Sequence, residues 1–272
     1  MNKIIKNQSN QEYHQNTEYV GSSSLKEMSK SPKHFYAAWK GVKDETPAMI
    51  KGQLIHSVVL EQDLSKFAKR PLDEKGSLVR SNSKEYAAWL ATVGSKTPVD
   101  PDLYDEAQGF LDSFCGHSEA MKLYNKSEVE TSLYCKDEKT GVLVKARPDI
   151  MGLDYIADLK STSKMDRFNS DIFSLGYHIQ AGHYVAVAEQ VTGKKIRNYF
   201  FIAQESSAPY GIKVFRMNRE MIEFCIDKRN ELLNRVSIAI EKNEFTGYAE
   251  IVEDVRVPKW IGVGDDIFEG VG

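Results

Sequence analysis

Cysteine is scarce in this chain. Cys115, Cys135 and Cys225 are the three present among 272 residues; they lie far apart, and no C-x-x-C occurs. An odd, scattered set argues against a disulfide framework or a structural zinc site. It also falls one short of the four thiolates that hold an iron–sulfur cluster, so no cluster is expected. Three buried free thiols in a reducing compartment are the expectation. Long apolar runs are lacking as well, so no segment reads as a membrane span. The polar opening MNKIIKNQSNQEYHQNTEYV has neither the apolar stretch nor the cleavage site of a secretory leader, and a cytoplasmic protein is expected. Neither sign of charge dominates: 36 Lys and Arg against 39 Asp and Glu give −3. Bulk positive charge is thereby excluded as a means of binding nucleic acid, though a local basic groove is not. No G-x-x-x-x-G-K-[ST] occurs, so no ATP-driven motor is expected.

What is present describes a folded domain. Hydrophobic residues make up 41% and charged residues 28%, and the length suffices for one substantial core. Residues 1–20 are polar and read as a flexible arm. Residues 21–243 read as a single domain with helices in its N-terminal portion. Residues 244–272, with Pro258, Trp260 and several glycines, read as a tail suited to an interface. Helical spacing is expected around Leu25–Ser29, through His34–Trp39, from Thr46-Pro47 through AMIKGQLIHSVVLEQ, and over Lys84–Val93 and Asp102–Phe114. The period then changes. Residues 129–136 alternate like a strand, VLVKARPDI and YIADLKS read as two more, and turns separate them. Helices are expected at 166–175 and 177–192, strands at KIRNYFFIAQE and YGIKVFRM, and a long helix from Asn218 to Lys242. A mixed sheet flanked by helices is the natural packing of this order.

The stretch ARPDIMGLDYIADLKSTSK carries the chemistry. Asp158 and Lys160 stand two apart on one strand and project to the same face. The preceding hairpin brings Asp149 toward Asp158. Two converging carboxylates suit Mg²⁺, with Mn²⁺ as a substitute, and the Leu159 backbone carbonyl is a further candidate ligand. A lysine beside a metal-bound water assists its deprotonation or stabilises developing charge. A bare D-x-K is common, however, and a surface ion pair is the plain alternative. His56, in an apolar helical stretch, reads equally as a core histidine. Gln180 and Tyr184 share a helix face and read equally as packing residues. Glu130 reads equally as a solvated strand charge. His178 and His183 lie off the Gln180–Tyr184 face and read as non-catalytic. Lys145, Arg147, Ser161, Thr162, Ser163, Lys164 and Arg167 are candidates for phosphate contacts. Phe35, Tyr36 and Trp39 read as packing residues, with stacking on a DNA end as the alternative.

Taken together, Pro148-Asp149, Asp158-x-Lys160 on strand–turn–strand, an upstream helical His56 and a downstream Gln180-x-x-x-Tyr184 resemble the PD-(D/E)xK nuclease superfamily and its RecB-type branch. GQLIHSVVLEQD with SPKHFYAAW resembles the nuclease domain of RecE-type exonucleases of bacteria and their phages. The resemblance implies a restriction-endonuclease-like α/β fold. It implies His56, Asp149 and Asp158 as metal ligands, Lys160 as the catalytic lysine, Gln180 and Tyr184 lining the site, and, more loosely, Glu130 as an additional acid. It further implies Mg²⁺-dependent digestion of linear duplex DNA from its ends, 5′→3′, leaving 3′ overhangs for a single-strand annealing protein in a bacterial or phage-infected cytoplasm, by a homo-oligomeric ring. The alternatives are an endonuclease or repair nuclease on the same core, and a non-catalytic scaffold that binds DNA ends.

Overall fold

The computed structural model describes residues 2–41, 47–62 and 64–255. Thr46, Pro258 and Trp260, singled out in the sequence, lie outside the described residues. The helices are α1 (Asn10–Gln15), α2 (Ser22–Glu27), α3 (Pro32–Lys40), α4 (Pro47–Glu61), α5 (Lys84–Val93), α6 (Pro101–Gly116), α7 (Ser118–Tyr124), α8 (Phe168–Ser174), α9 (Tyr177–Thr192) and α10 (Arg219–Lys242). The strands are β1 (Lys3–Ile5), β2 (Phe67–Lys69), β3 (Thr97–Val99), β4 (Glu128–Val129), β5 (Ser132–Lys136), β6 (Leu143–Ala146), β7 (Ile150–Met151), β8 (Tyr155–Thr162), β9 (Asn198–Glu205) and β10 (Ile212–Met217). Local chemistry sets many boundaries. Ser31 Oγ accepts the His34 amide and Pro32 opens α3; Ser83 and Asn218 cap α5 and α10 in the same way. No helix among the described residues is long and apolar enough to cross a membrane.

The main sheet runs β10-β9-β8-β7-β4, with β8 and β9 parallel and the other neighbours antiparallel. A second sheet runs β1-β5-β6, and a parallel pair joins β2 and β3. The β8–β9 crossover passes through α8 and α9, as a parallel pair requires. Helices cover both faces. Ile156, Tyr199 and Phe201 pack with Leu25, Val185 and Leu233 of α2, α9 and α10. Ala157, Leu159 and Ile202 pack with Ile55, Phe110 and Phe114 of α4 and α6. Each fully buried Phe contributes about 2 to 3 kcal/mol relative to exposure. This is a mixed sheet flanked by helices, as the element order implied.

Four expectations need correction. In place of the expected free arm over 1–20, residues 2–20 hold structure: Lys3–Ile5 pair with Ser132–Tyr134, α1 carries a capping box, and Tyr13 is buried. The expected single strand over 129–136 splits at Glu130, whose φ of 47° takes the chain out of extended geometry. Within β5, Ser132–Cys135 are all buried, so both faces are covered and the burial does not alternate. The second expected strand splits at Arg147-Pro148-Asp149, where proline cannot donate to a ladder. Cys115 is exposed, unlike Cys135 and Cys225, though all three are free.

Candidate active site

The antiparallel β7–β8 hairpin pairs Ile150 with Ala157. Asp149 and Asp158 therefore stand opposite one another one position further on. The Leu159 N–H donates to Asp149 Oδ2 at 2.7 Å, which fixes that carboxylate across the strand gap. Leu159 thus engages the site through its amide.

From the other side, α4 presents His56. Its Nε2 lies 2.8 Å from Asp149 Oδ2 and its Nδ1 3.5 Å from Glu130 Oε1. The unusual backbone of Glu130 is tied down here, since its N–H donates to the Asp149 carbonyl at 3.1 Å. Burial works to strip the imidazole of its proton, but the carboxylates of Asp149 and Glu130 outweigh it and push the pKa up to about 10. Burial likewise works to raise Asp149, and His56, Lys160 and the Leu159 amide hold it below the ordinary carboxylate range instead. Asp158 is fully buried, and burial followed by the Asp149 charge pushes it up to about 7, against the pull of Lys160. The two carboxylates are thus driven apart, Asp149 toward the ionised form and Asp158 toward the protonated one.

Lys160 pairs with Asp158 Oδ2, and its ammonium lies 5.0 Å from the centre of the Tyr177 ring. Among the described residues Lys160 is the one cation within ion-pair distance of that Oδ2. Burial works against the lysine's charge, but Asp158 and Asp149 raise its pKa above the ordinary value. The first turns of α9 supply the rest. Gln180 Nε2 donates to Asp158 Oδ1 at 3.2 Å. Tyr184 is buried, and burial with the Asp158 and Asp149 charges raises its hydroxyl to about 12. A pocket of about 180 Å³ opens onto this centre, lined by His56, Lys160, Ser161 and Tyr177 among others.

His56, Glu130, Asp149, Asp158, Lys160 and Gln180 thus form one connected cluster, with Tyr184 buried beside it. The donor set fits a hard divalent cation: two adjacent carboxylates, one with its Oδ2 held by the Lys160 ammonium alone, and an imidazole. Among the described residues no three acidic, His or Cys side chains already surround a common point as a metal cage. The imidazolium of His56 and the ammonium of Lys160 offset the acids instead.

The remaining candidates are spread out. Ser161, Ser163, Lys164 and Arg167 are exposed at and beyond the end of β8. Lys145 is buried and donates to the carbonyls of Tyr13 and Asn16, so it is withdrawn from any phosphate role. Arg147 lies over the Tyr13 ring and donates to Asn10. Phe35 is buried against Trp39, and Tyr36 packs on Phe245. His178 bonds the Ile172 carbonyl, and buried His183 bonds the Lys145 carbonyl; neither enters the cluster. Sequence reasoning missed Tyr177. Its place three residues before Gln180, one helical turn away, was the available signal.

Strand–turn–strand acids, the D-x-K pair on a central strand and the flanking helices define the PD-(D/E)xK, restriction-endonuclease-like fold. Within it, a family model for the PDDEXK-like domain of unknown function (DUF3799) matches residues 21–258, and the chain belongs to that family. A protein from Eubacterium rectale, whose exonuclease assignment is itself provisional, superposes with a TM-score of 0.62 at 15% identity, over 98% of this chain and 100% of its own. The alkaline exonuclease LHK-Exo from Laribacter hongkongensis aligns with a TM-score of 0.36 at 10% identity, over 87% and 96%. Its complex with dAMP gives the same TM-score at 12% identity. No curated protein matches the chain.

Proposed function

We propose that this protein is a Mg²⁺-dependent exodeoxyribonuclease of RecE type, acting on linear duplex DNA from its ends. The observation that carries the reading is the convergence, beside one pocket, of Asp149, Asp158 and Lys160 with His56 and Gln180. Asp149, Asp158, His56 and the Leu159 carbonyl would hold the cation, His56 giving up its proton on binding. Once bound, Mg²⁺ supplies charge neutralisation at the scissile phosphate and a lowered pKa for water. The protein's own groups do the rest. Gln180 and the Leu159 amide fix the two carboxylates, so that their oxygens stay aimed at one place. Lys160, half-buried and charged, stabilises negative charge as it develops on the phosphate or the attacking oxygen. Glu130 holds the second nitrogen of His56 and sets the imidazole's orientation.

The finer reading extends this. Digestion runs 5′→3′ and leaves a 3′ overhang for a single-strand annealing protein, and copies of the chain assemble into a ring around DNA. The test uses linear duplex labelled at the 5′ or the 3′ end and a closed circle, each with Mg²⁺ or EDTA. Early release of the 5′ label, an intact circle and an inert Lys160→Ala protein support the proposal. Cutting of the circle replaces it with an endonuclease. DNA binding without metal-dependent cleavage replaces it with an end-binding scaffold.

A further inference from the structure

We propose that residues 249–255 form a strap that folds back, within the same copy, into a second groove on the other side of the first turn of α9. This groove, about 590 Å³, lies between the end of α2, the α8–α9 junction and α10. It shares the first turn of α9 with the candidate active site: Gly176 and His178 line the groove, and Tyr177 lines the pocket beside Lys160. Its apolar part includes Phe173 and Leu175, which are 41% and 51% exposed. Its polar part is basic, with Lys26, Lys30, Lys228 and Arg235 against Glu27 and Glu231. Both acids are already engaged, Glu27 with Lys30 at 2.7 Å and Glu231 with Lys228 at 3.3 Å. Arg235 has no acidic partner among the described residues.

The segment after α10 has the complementary character. Residues 244–255 contain Glu244, Glu250, Glu253 and Asp254 and no basic residue. Ile251, Val252 and Val255 are exposed, the last two almost completely. The same segment is already delivered to the edge of the groove. Phe245 packs on Tyr36 with ring centres 4.3 Å apart, and the Lys33 N–H donates to the Thr246 carbonyl at 2.9 Å. Tyr248 then rests on His34 at 5.1 Å, just past the α2–α3 turn that carries Lys30. Seven further residues reach about 23 to 25 Å when extended, enough to cross the groove. Covalent attachment gives an effective concentration on the order of millimolar, which favours the strap of the same copy over that of another. Docking would cover both apolar patches and set the tail's acids against Arg235 and the groove's net positive charge.

Disulfide trapping tests this without any cleavage assay, so its result is independent of the nuclease reading. In a Cys115→Ser background, Val252→Cys is combined with Ser174→Cys in the groove or with Ser95→Cys, an exposed position between α5 and β3. Matching circular dichroism and melting temperatures establish that each variant folds. The expected result is an intramolecular disulfide formed at least about fivefold faster at 174 than at 95, and slowed by a similar factor on adding Lys26→Glu and Arg235→Glu. Equal rates at the two positions overturn the proposal. Disulfide-linked dimers whose yield rises with protein concentration overturn it in favour of a second copy. Single-stranded oligonucleotide binding that depends on Arg235 and is unchanged by deleting 249–272 overturns it in favour of a nucleic-acid groove.

Discussion

Replacing Gly182 with alanine is expected to destabilise the protein by about 2 kcal/mol or more, although alanine is the better helix former. Gly182 sits in mid-α9, where a Cβ would stand 2.2 Å from the Cys225 carbonyl oxygen and 2.8 Å from the Ile226 nitrogen of α10. Ordinary contact begins at 3.4 Å, so the helices would have to separate by about 1.2 Å. The obstruction is backbone and cannot swing aside. Overpacking of this kind costs about 1 to 3 kcal/mol, occasionally more, against a propensity gain of about 1 kcal/mol. With both helices anchored in the core on their remaining sides, the upper part of the range applies. Gly52 provides the control, because it also lies in a helix but an added methyl there would meet nothing within 4 Å. Gly52→Ala should therefore gain about 0.5 to 1 kcal/mol. Urea denaturation of the wild type and both variants measures the differences. Opposite signs at the two glycines are the prediction. A Gly182→Ala protein as stable as the wild type would refute the close-approach argument. The displacement also bears on the site, because Gln180 is two residues away and holds Asp158.

Further outcomes follow from the buried charges. His183 is fully buried, and burial, followed by the nearby Arg229 charge, pushes its pKa down from 6.5 to about 3. A folded-state value below the unfolded one means stability is full above pH 6.5 and is lost as pH falls toward 3, by up to about 4 to 5 kcal/mol. Acid unfolding should be less steep in His183→Gln, as followed by circular dichroism. Arg229 and Asp137 form an almost fully buried ion pair at 2.7 Å. Arg229→Met should cost about 3 to 5 kcal/mol by leaving Asp137 uncompensated, and adding Asp137→Asn should recover part of that in thermal melts. Mg²⁺ should raise the melting temperature with the logarithm of its concentration, by an amount equivalent to about 2.7 kcal/mol at a hundredfold excess over its dissociation constant. Differential scanning fluorimetry should show no such rise in Asp149→Asn.

The helices were the most legible part of the sequence. Lys84–Val93 was expected with its observed bounds, because Ser83 caps one end and Gly94 closes the other. The bounds of α9 were equally plain, set by Gly176 and Gly193, both at positive φ. The strands were less so. Nothing in the letters around Glu130 announces a left-handed residue, since glutamate is an uncommon choice there, and the apparent alternation across it was misleading. In the site, spacing along one strand accounts for Asp158 and Lys160, and a hairpin turn accounts for Asp149. The approach of His56 from α4, some ninety residues earlier, follows from tertiary packing that no local pattern encodes. The same holds for Lys145, whose positive charge suggested DNA but whose partners are carbonyls of the polar opening segment. Side chains of one type serve either role, and burial decides which.

That opening segment has a consequence for the order of assembly. Lys3–Ile5 pair with Ser132–Tyr134, and Asn2 reaches the Gln190 carbonyl. β1 is therefore synthesised about 130 residues ahead of the strand it pairs with. At roughly 5 to 20 residues per second, β1 waits on the order of ten seconds for β5. Its exposed Ile4 and Ile5 remain unpaired throughout that interval. Docking of the first strand is thus a late event in biosynthesis, and cleavage by an added protease during translation would report when it occurs.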